Sequence, residues 1–176
     1  MSVAPYLDVL LLLMVAAAAI NDLASRRIPN LLLLGGMLGA LALHLLSPRP
    51  VAGLLAWLGG AAVGLLVFLP FYLVRGMAAG DVKMMAAVGA FTGPADALHI
   101  AILAWCAGGV MALAIIVVRG RLRLAITNLW AILRPVLLRL PMAPVDCALP
   151  GARTSAGSMP YGLAIAAGTV AVLVGR

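Results

Sequence analysis

Long apolar runs separated by short polar breaks follow one another along almost the whole chain. They are Val9–Ile20, Leu31–Leu46, Leu54–Val74, Val82–Thr92, Leu98–Val118 and a last run ending at Val174. A helix needs about 20 apolar residues to cross the hydrocarbon of a bilayer. With 65% hydrophobic and 10% charged residues, the composition excludes an ordinary water-soluble domain, which has about half apolar residues and a quarter charged. The expected fold is all-α: a polytopic membrane protein of six transmembrane helices forming one domain over residues 1–176.

The breaks set the helix ends. Asn21-Asp22-Leu23-Ala24-Ser25-Arg26-Arg27-Ile28-Pro29-Asn30 is a polar turn, and Pro29 suits the first turn of a second helix, where its missing N–H leaves no bond unmade. Ser47-Pro48-Arg49-Pro50 forces the next turn, and Pro70 predicts a kink near the end of the third helix. Gly93-Pro94 closes a fourth helix of only about ten apolar residues, too short to span unless it begins inside the membrane or packs tilted within the bundle. Leu124–Leu140 is too interrupted by arginine to span and reads as an amphipathic helix in the cytoplasmic interface between helices five and six. The first run has no Lys or Arg before it and is followed by equally apolar segments, so it reads as a spanning helix rather than a cleaved signal.

Charge orients the bundle. The connectors after helices one, three and five hold Arg26, Arg27, Arg75, Lys83, Arg119, Arg121, Arg123, Arg134, Arg139 and Arg153, ten of the twelve basic residues. Positive connectors face the cytoplasm, which leaves both termini on the other side of a bacterial inner membrane. The net charge of +7 is scattered between apolar runs and forms no nucleic-acid-binding arm. It suits an anionic lipid surface instead.

All five acidic residues are Asp. A carboxylate beside hydrocarbon is costly to keep charged, so Asp22 and Asp81 each call for an explanation. The topology puts both at the cytoplasmic face, Asp8 and Asp96 at the opposite one, and Asp146 in a proline-rich loop. Two carboxylates held close cannot both ionise easily, and such a pair can divide the work of base and acid in peptide hydrolysis. Structural readings compete. Asp22 can pair with Arg26 four residues on, and Asp81 can cap the fourth helix. Lys83, the only lysine, can orient an acidic group or extend to lipid headgroups. His44 and His99 read as interfacial side chains, and Cys106 and Cys147 show no metal spacing. The stretches Gly35-x3-Gly39, Gly60-x3-Gly64 and Gly89-x3-Gly93 read as close-packing faces. The rival function is a small transporter or assembly subunit using a membrane-embedded Asp for a proton or for helix pairing, although no polar path crosses these helices.

Three stretches together resemble the type IV prepilin peptidase family of membrane aspartic proteases, closest to its small members serving Flp-type (tight-adherence) pili. The first is Asp22-Leu-Ala-Ser-Arg-Arg-Ile-Pro-Asn30. The second, Gly76-Met-Ala-Ala-Gly-Asp-Val-Lys-Met-Met-Ala87, is similar to the family's GxGD region, with Ala78 in place of the first glycine. The third is Pro160-Tyr-Gly-Leu-Ala-Ile-Ala-Ala-Gly168. The resemblance implies an aspartic endopeptidase with Asp22 and Asp81 as catalytic dyad and with no metal or other cofactor. It implies a prepilin leader as substrate, cut at the cytoplasmic face. Gly80, Lys83, Pro160 and Gly162 become substrate-binding or loop-shaping residues. The connector from Asp22 to Leu31 has no room for the cysteine-rich insertion of larger members, so no zinc site or N-methyltransferase activity is expected. The expected partners are a prepilin and the lipid bilayer, not nucleic acid, and the sequence leaves the oligomeric state open.

Overall fold

A computed structural model describes residues 3–74, 76–120 and 161–175, with 122, 123, 126, 127 and 130 between them. The described residues form six helices: α1 (Ala4–Ser25), α2 (Asn30–Leu45), α3 (Pro50–Leu73), α4 (Ala79–Thr92), α5 (Pro94–Val118) and α6 (Tyr161–Val174). Three of them, α1, α3 and α5, are long and apolar enough to cross a membrane, while α2 and α6 are apolar but shorter. Most of the expected interfacial helix, with Arg75, Pro160, Asp146 and Cys147, lies outside the described residues. The chain divides into two compact units, Met1–Gly108 with Pro160–Arg176, and Gly109–Met159.

Local chemistry accounts for the boundaries. Pro50 occupies the first turn of α3, so that helix begins earlier than the apolar run alone predicts. Pro29 falls one position before α2, as its cap residue at φ −63° and ψ 125°, rather than in its first turn. Pro70 lies inside α3 near its end, where it withholds one helical N–H. Arg26 closes α1 in the left-handed conformation, φ 55°, with its N–H on the carbonyl of Asp22. Gly93, at φ 82°, ends α4 where glycine meets no Cβ penalty, and Pro94 opens α5 immediately.

The shortest helices include the most buried. In α4 every residue from Asp81 to Phe91 is buried except Lys83. A helix apolar on all sides belongs inside a bundle, and α4 packs against α1, α2, α3 and α6. Its closest neighbour is α3. Gly60 lies against the Gly89 carbonyl, and a Cβ on it would come within 2.9 Å of the Gly93 Cα, while Gly64 lies against the Met85 carbonyl. Any side chain at these positions would push the two backbones apart. The expected packing face at Gly35 is displaced by one residue: Gly35 faces open space, and Gly36 and Gly39 meet Met14 and Leu10 of α1.

The surface runs the other way. Leu13, Leu31, Leu46, Leu55, Leu66 and Val74 are exposed apolar side chains, Leu31 to 81%. Water would penalise that surface, and hydrocarbon would not.

His44 departs from the expectation of an interfacial side chain. It is buried, and its Nε2 lies 3.2 Å from the Ala90 carbonyl, joining the far ends of α2 and α4. His99 is exposed, with its Nδ1 4.0 Å from the Asp96 carboxylate.

Candidate active site

Three helix ends converge on the two buried aspartates. Asp22 lies in the last turn of α1, and Asp81 in the first turn of α4. Each is only 7% exposed. The connector from α1 to α2 reaches the same place, since Ile28 lies 3.6 Å from the Cβ position of Gly80. The first turn of α6 completes the group: the backbone N–H of Gly162 donates to Asp22 Oδ2 at 2.9 Å.

That bond explains why position 162 holds glycine. A Cβ there would lie 2.9 Å from Oδ2 and 3.1 Å from the Cβ of Asp22, so only a bare backbone approaches this closely. On the other side of the pair, α4 starts from Ala78, whose side chain makes no cap bond. The Ala78 backbone N–H instead interacts with the carboxylate of Asp81, three residues on. This is the return half of a capping box, so the capping role considered for Asp81 is present in part. It leaves carboxylate oxygen capacity unused, because an ionised carboxylate accepts at about four sites. The positive end of the α4 dipole also favours negative charge in this turn. The two carboxylates lie near enough for the charge of Asp22 to act on Asp81.

Ala78 itself is unstrained. It sits at φ −78° and ψ 149°, extended backbone open to any residue, so the alanine in place of the motif's first glycine needs no left-handed conformation.

The remaining residues expected at the site are Gly80, Lys83 and Pro160. Gly80 is the second residue of α4 and lets the helix start close against Ile28. Lys83, two residues beyond Asp81, points to another side of α4. Two residues turn a helix through about 200°. Its ammonium is exposed and donates to Asn30 Oδ1 at 3.1 Å, tying α4 to the first residue of α2. The sequence offered no reason to pair Lys83 with Asn30 beyond a polar residue opening an apolar helix. A groove of about 610 Å³ runs beside this contact, lined by Asn30, Leu31, Leu34, Met37, Leu65 and Lys83. Pro160 lies outside the described residues. Asp22, Asp81 and Gly162 are thus brought together, while Lys83 stands apart from them.

An aromatic cluster backs the site. The Phe68 ring stacks on Trp105 at 5.9 Å and meets Tyr161 edge-on at 6.1 Å. The Tyr161 ring also fits against Gly108, where a Cβ would come within 2.8 Å of it. These contacts hold the start of α6, and hence the Gly162 N–H, in place. Among the described residues no three His, Cys, Asp or Glu side chains gather into a metal-binding group.

The chemistry open to two buried, adjacent carboxylates is proton exchange with a water and with a carbonyl, one acting charged and the other neutral. No curated protein and no solved structure matches the chain significantly. A family model does: that of the type IV leader peptidase family, over residues 9–113, which takes in most of α1, all of α2 to α4, most of α5 and both aspartates but not Gly162. That match covers more than half of the 176 residues, and the chain belongs to the type IV leader peptidase family.

Proposed function

We propose that this protein is a prepilin leader peptidase, an aspartic endopeptidase in which Asp22 and Asp81 form the catalytic dyad. The observation that carries the reading is the burial of these two carboxylates, on the end of α1 and the start of α4, near enough for the charge of Asp22 to act on Asp81, in a chain of this family. The charged member takes a proton from a water. The water oxygen bonds to the carbon of the scissile peptide, and the neutral member gives its proton to the carbonyl oxygen. Collapse of the resulting diol breaks the C–N bond, and the proton held by the first carboxylate leaves with the new amine. This sequence needs no metal or organic cofactor.

Flp-type prepilins are the proposed substrates, by resemblance of the three stretches described above. Cleavage takes place, in this reading, at the cytoplasmic face of the bacterial inner membrane, because Arg26 and Arg27 follow Asp22 in the connector after α1 and Lys83 follows Asp81 in the sequence. In this reading all six helices are embedded in the bilayer, and residues 1–176 act as one peptidase domain.

The test is co-expression with a Flp-type prepilin and measurement of leader removal by gel mobility. Asp22→Asn and Asp81→Asn are each expected to abolish cleavage while the protein accumulates normally. Processing that continues in either variant overturns the dyad.

A further inference from the structure

The groove of about 610 Å³ beside the Lys83–Asn30 contact takes no part in the aspartate centre. Leu31, Leu34 and Met37 of α2 and Leu65 of α3 line it, with the buried Ala86 of α4 beneath. Neither α1 nor α6, which meet at Asp22, contributes to it. Lys83 is turned about 200° around α4 from Asp81. A molecule in the groove and a peptide at the aspartates therefore occupy different faces of that helix. Hydrocarbon alone would cover the leucines here as it covers exposed leucines elsewhere, but one end of the groove is different. Lys83 is the only charged residue lining it, and its ammonium donates to Asn30 Oδ1 at 3.1 Å. That bond uses one of the three ammonium donors and the amide oxygen. Asn30 brings no negative charge, so the cation is not neutralised, and the other ammonium protons and the amide N–H2 can converge on one anion. The start of α2 adds the positive end of its dipole at the same place. From Asn30 to Met37 the helix rises about 10 Å, within the ~15 Å of hydrocarbon in one leaflet. An anion at one end and hydrocarbon along the rest match the two parts of an acidic phospholipid.

We propose that this groove is a binding site for one acidic phospholipid. Its phosphate lies on Lys83 and Asn30, and one acyl chain lies along α2 toward Met37. A zwitterionic lipid fills the same groove less tightly, because the cation of its own headgroup competes with Lys83 for the phosphate. The site rests on the embedding of these helices in a bilayer and not on the peptidase reading, so it stands or falls separately from the dyad.

The test uses the full chain, purified in a non-ionic detergent, with phosphatidylglycerol and phosphatidylcholine of identical acyl chains as probes. Native mass spectrometry reads the first lipid retained across a titration. The wild type should hold phosphatidylglycerol about fivefold more tightly than phosphatidylcholine, the effect of one basic side chain on an anionic lipid. Lys83→Met should remove that preference and leave phosphatidylcholine retention unchanged, while Lys83→Arg keeps it. Arg49→Met, which removes the same charge beyond the other end of α2, should also keep it. Equal retention of the two lipids by the wild type, or a preference that survives Lys83→Met, overturns the proposal. A photoreactive probe gives an arm that needs no variant. Phosphatidylglycerol with a diazirine in its acyl chain, illuminated with the wild type in nanodiscs, should attach mainly to Leu31, Leu34, Met37 and Leu65. Excess unlabelled phosphatidylglycerol should suppress this attachment more than phosphatidylcholine does. Attachment spread evenly over exposed leucines such as Leu13 and Leu55 would mean lipid contact without a site and overturn it. Suppression by a synthetic prepilin peptide, or by a second copy of the chain, in place of phosphatidylglycerol would give the groove to that partner and overturn it too.

Discussion

At the scale of single residues, backbone conformation decides what sequence alone left open. Ala78 departs from the GxGD pattern, yet its extended φ and ψ suit alanine as well as glycine. Ala78→Gly should therefore lower stability by roughly 0.4–1 kcal/mol through the freer unfolded chain. Prepilin cleavage at saturating protein should stay unchanged, and a clear rise in cleavage would show that the loop needs a conformation alanine resists. Lys83 makes a second case. Its bond to Asn30 joins α4 to α2 on a face away from the aspartates. Lys83→Met and Asn30→Ala should each weaken the fold slightly and should not add, with a coupling of about 0.5–1 kcal/mol in a double-mutant cycle. Full additivity would mean that the contact contributes nothing. Asp22 and Asp81 were legible as a pair because acidic residues are rare here and charge gave both the same side. The Gly162 bond was not legible, because a backbone donor leaves no trace in residue type beyond a glycine that many loops also use.

At the scale of helices, the stretch that looked too short to span turns out to be the centre of the bundle. Its burial on every face follows from its composition, apart from Asp81 and Lys83 near its start. What the sequence could not tell was which glycines face a neighbour, since spacing of four marks a helical stripe but not its direction. Gly60 meets the Gly89 carbonyl, whereas Gly35 has nothing within 4 Å. The two should respond oppositely to alanine. Gly60→Ala forces α3 from α4 and should cost about 1–3 kcal/mol, the range for overpacking. Gly35→Ala should gain roughly 0.5–1 kcal/mol from helix propensity alone. Reversible unfolding in mixed micelles reads both, and equal effects would place the α3–α4 crossing elsewhere. Because Asp81 rides on α4, the Gly60 variant should also lose cleavage out of proportion to its stability.

At the scale of the whole molecule, helix length sets the depth of the site. The 14 residues of α4 and the 14 of α6 rise about 21 Å each, against a hydrocarbon core of about 30 Å. Both helices start at the aspartates, so in the proposed arrangement, with all six helices embedded, their short length would draw the pair inward from the headgroups, while α1, with 22 residues, is long enough to reach past it. A peptide bond cut there must leave bulk water. The cytoplasmic side proposed for this rests on charge: Arg26 and Arg27 lie on the connector that follows Asp22, and Arg49 is the only basic residue between α2 and α3. Ser25, exposed at the end of α1, and Pro48, exposed at the other end of α2, are reporters for the two sides. Cysteine can be placed at either in a background carrying Cys106→Ala and Cys147→Ala, needed because Cys106 is itself exposed. A membrane-impermeant maleimide should label Pro48→Cys in intact spheroplasts and leave Ser25→Cys unlabelled until the membrane is inverted. The reverse pattern would put the aspartates on the outer face, where a leader that stays in the cytoplasm never reaches them. Labelling of both from one side would instead mean that α2 does not cross.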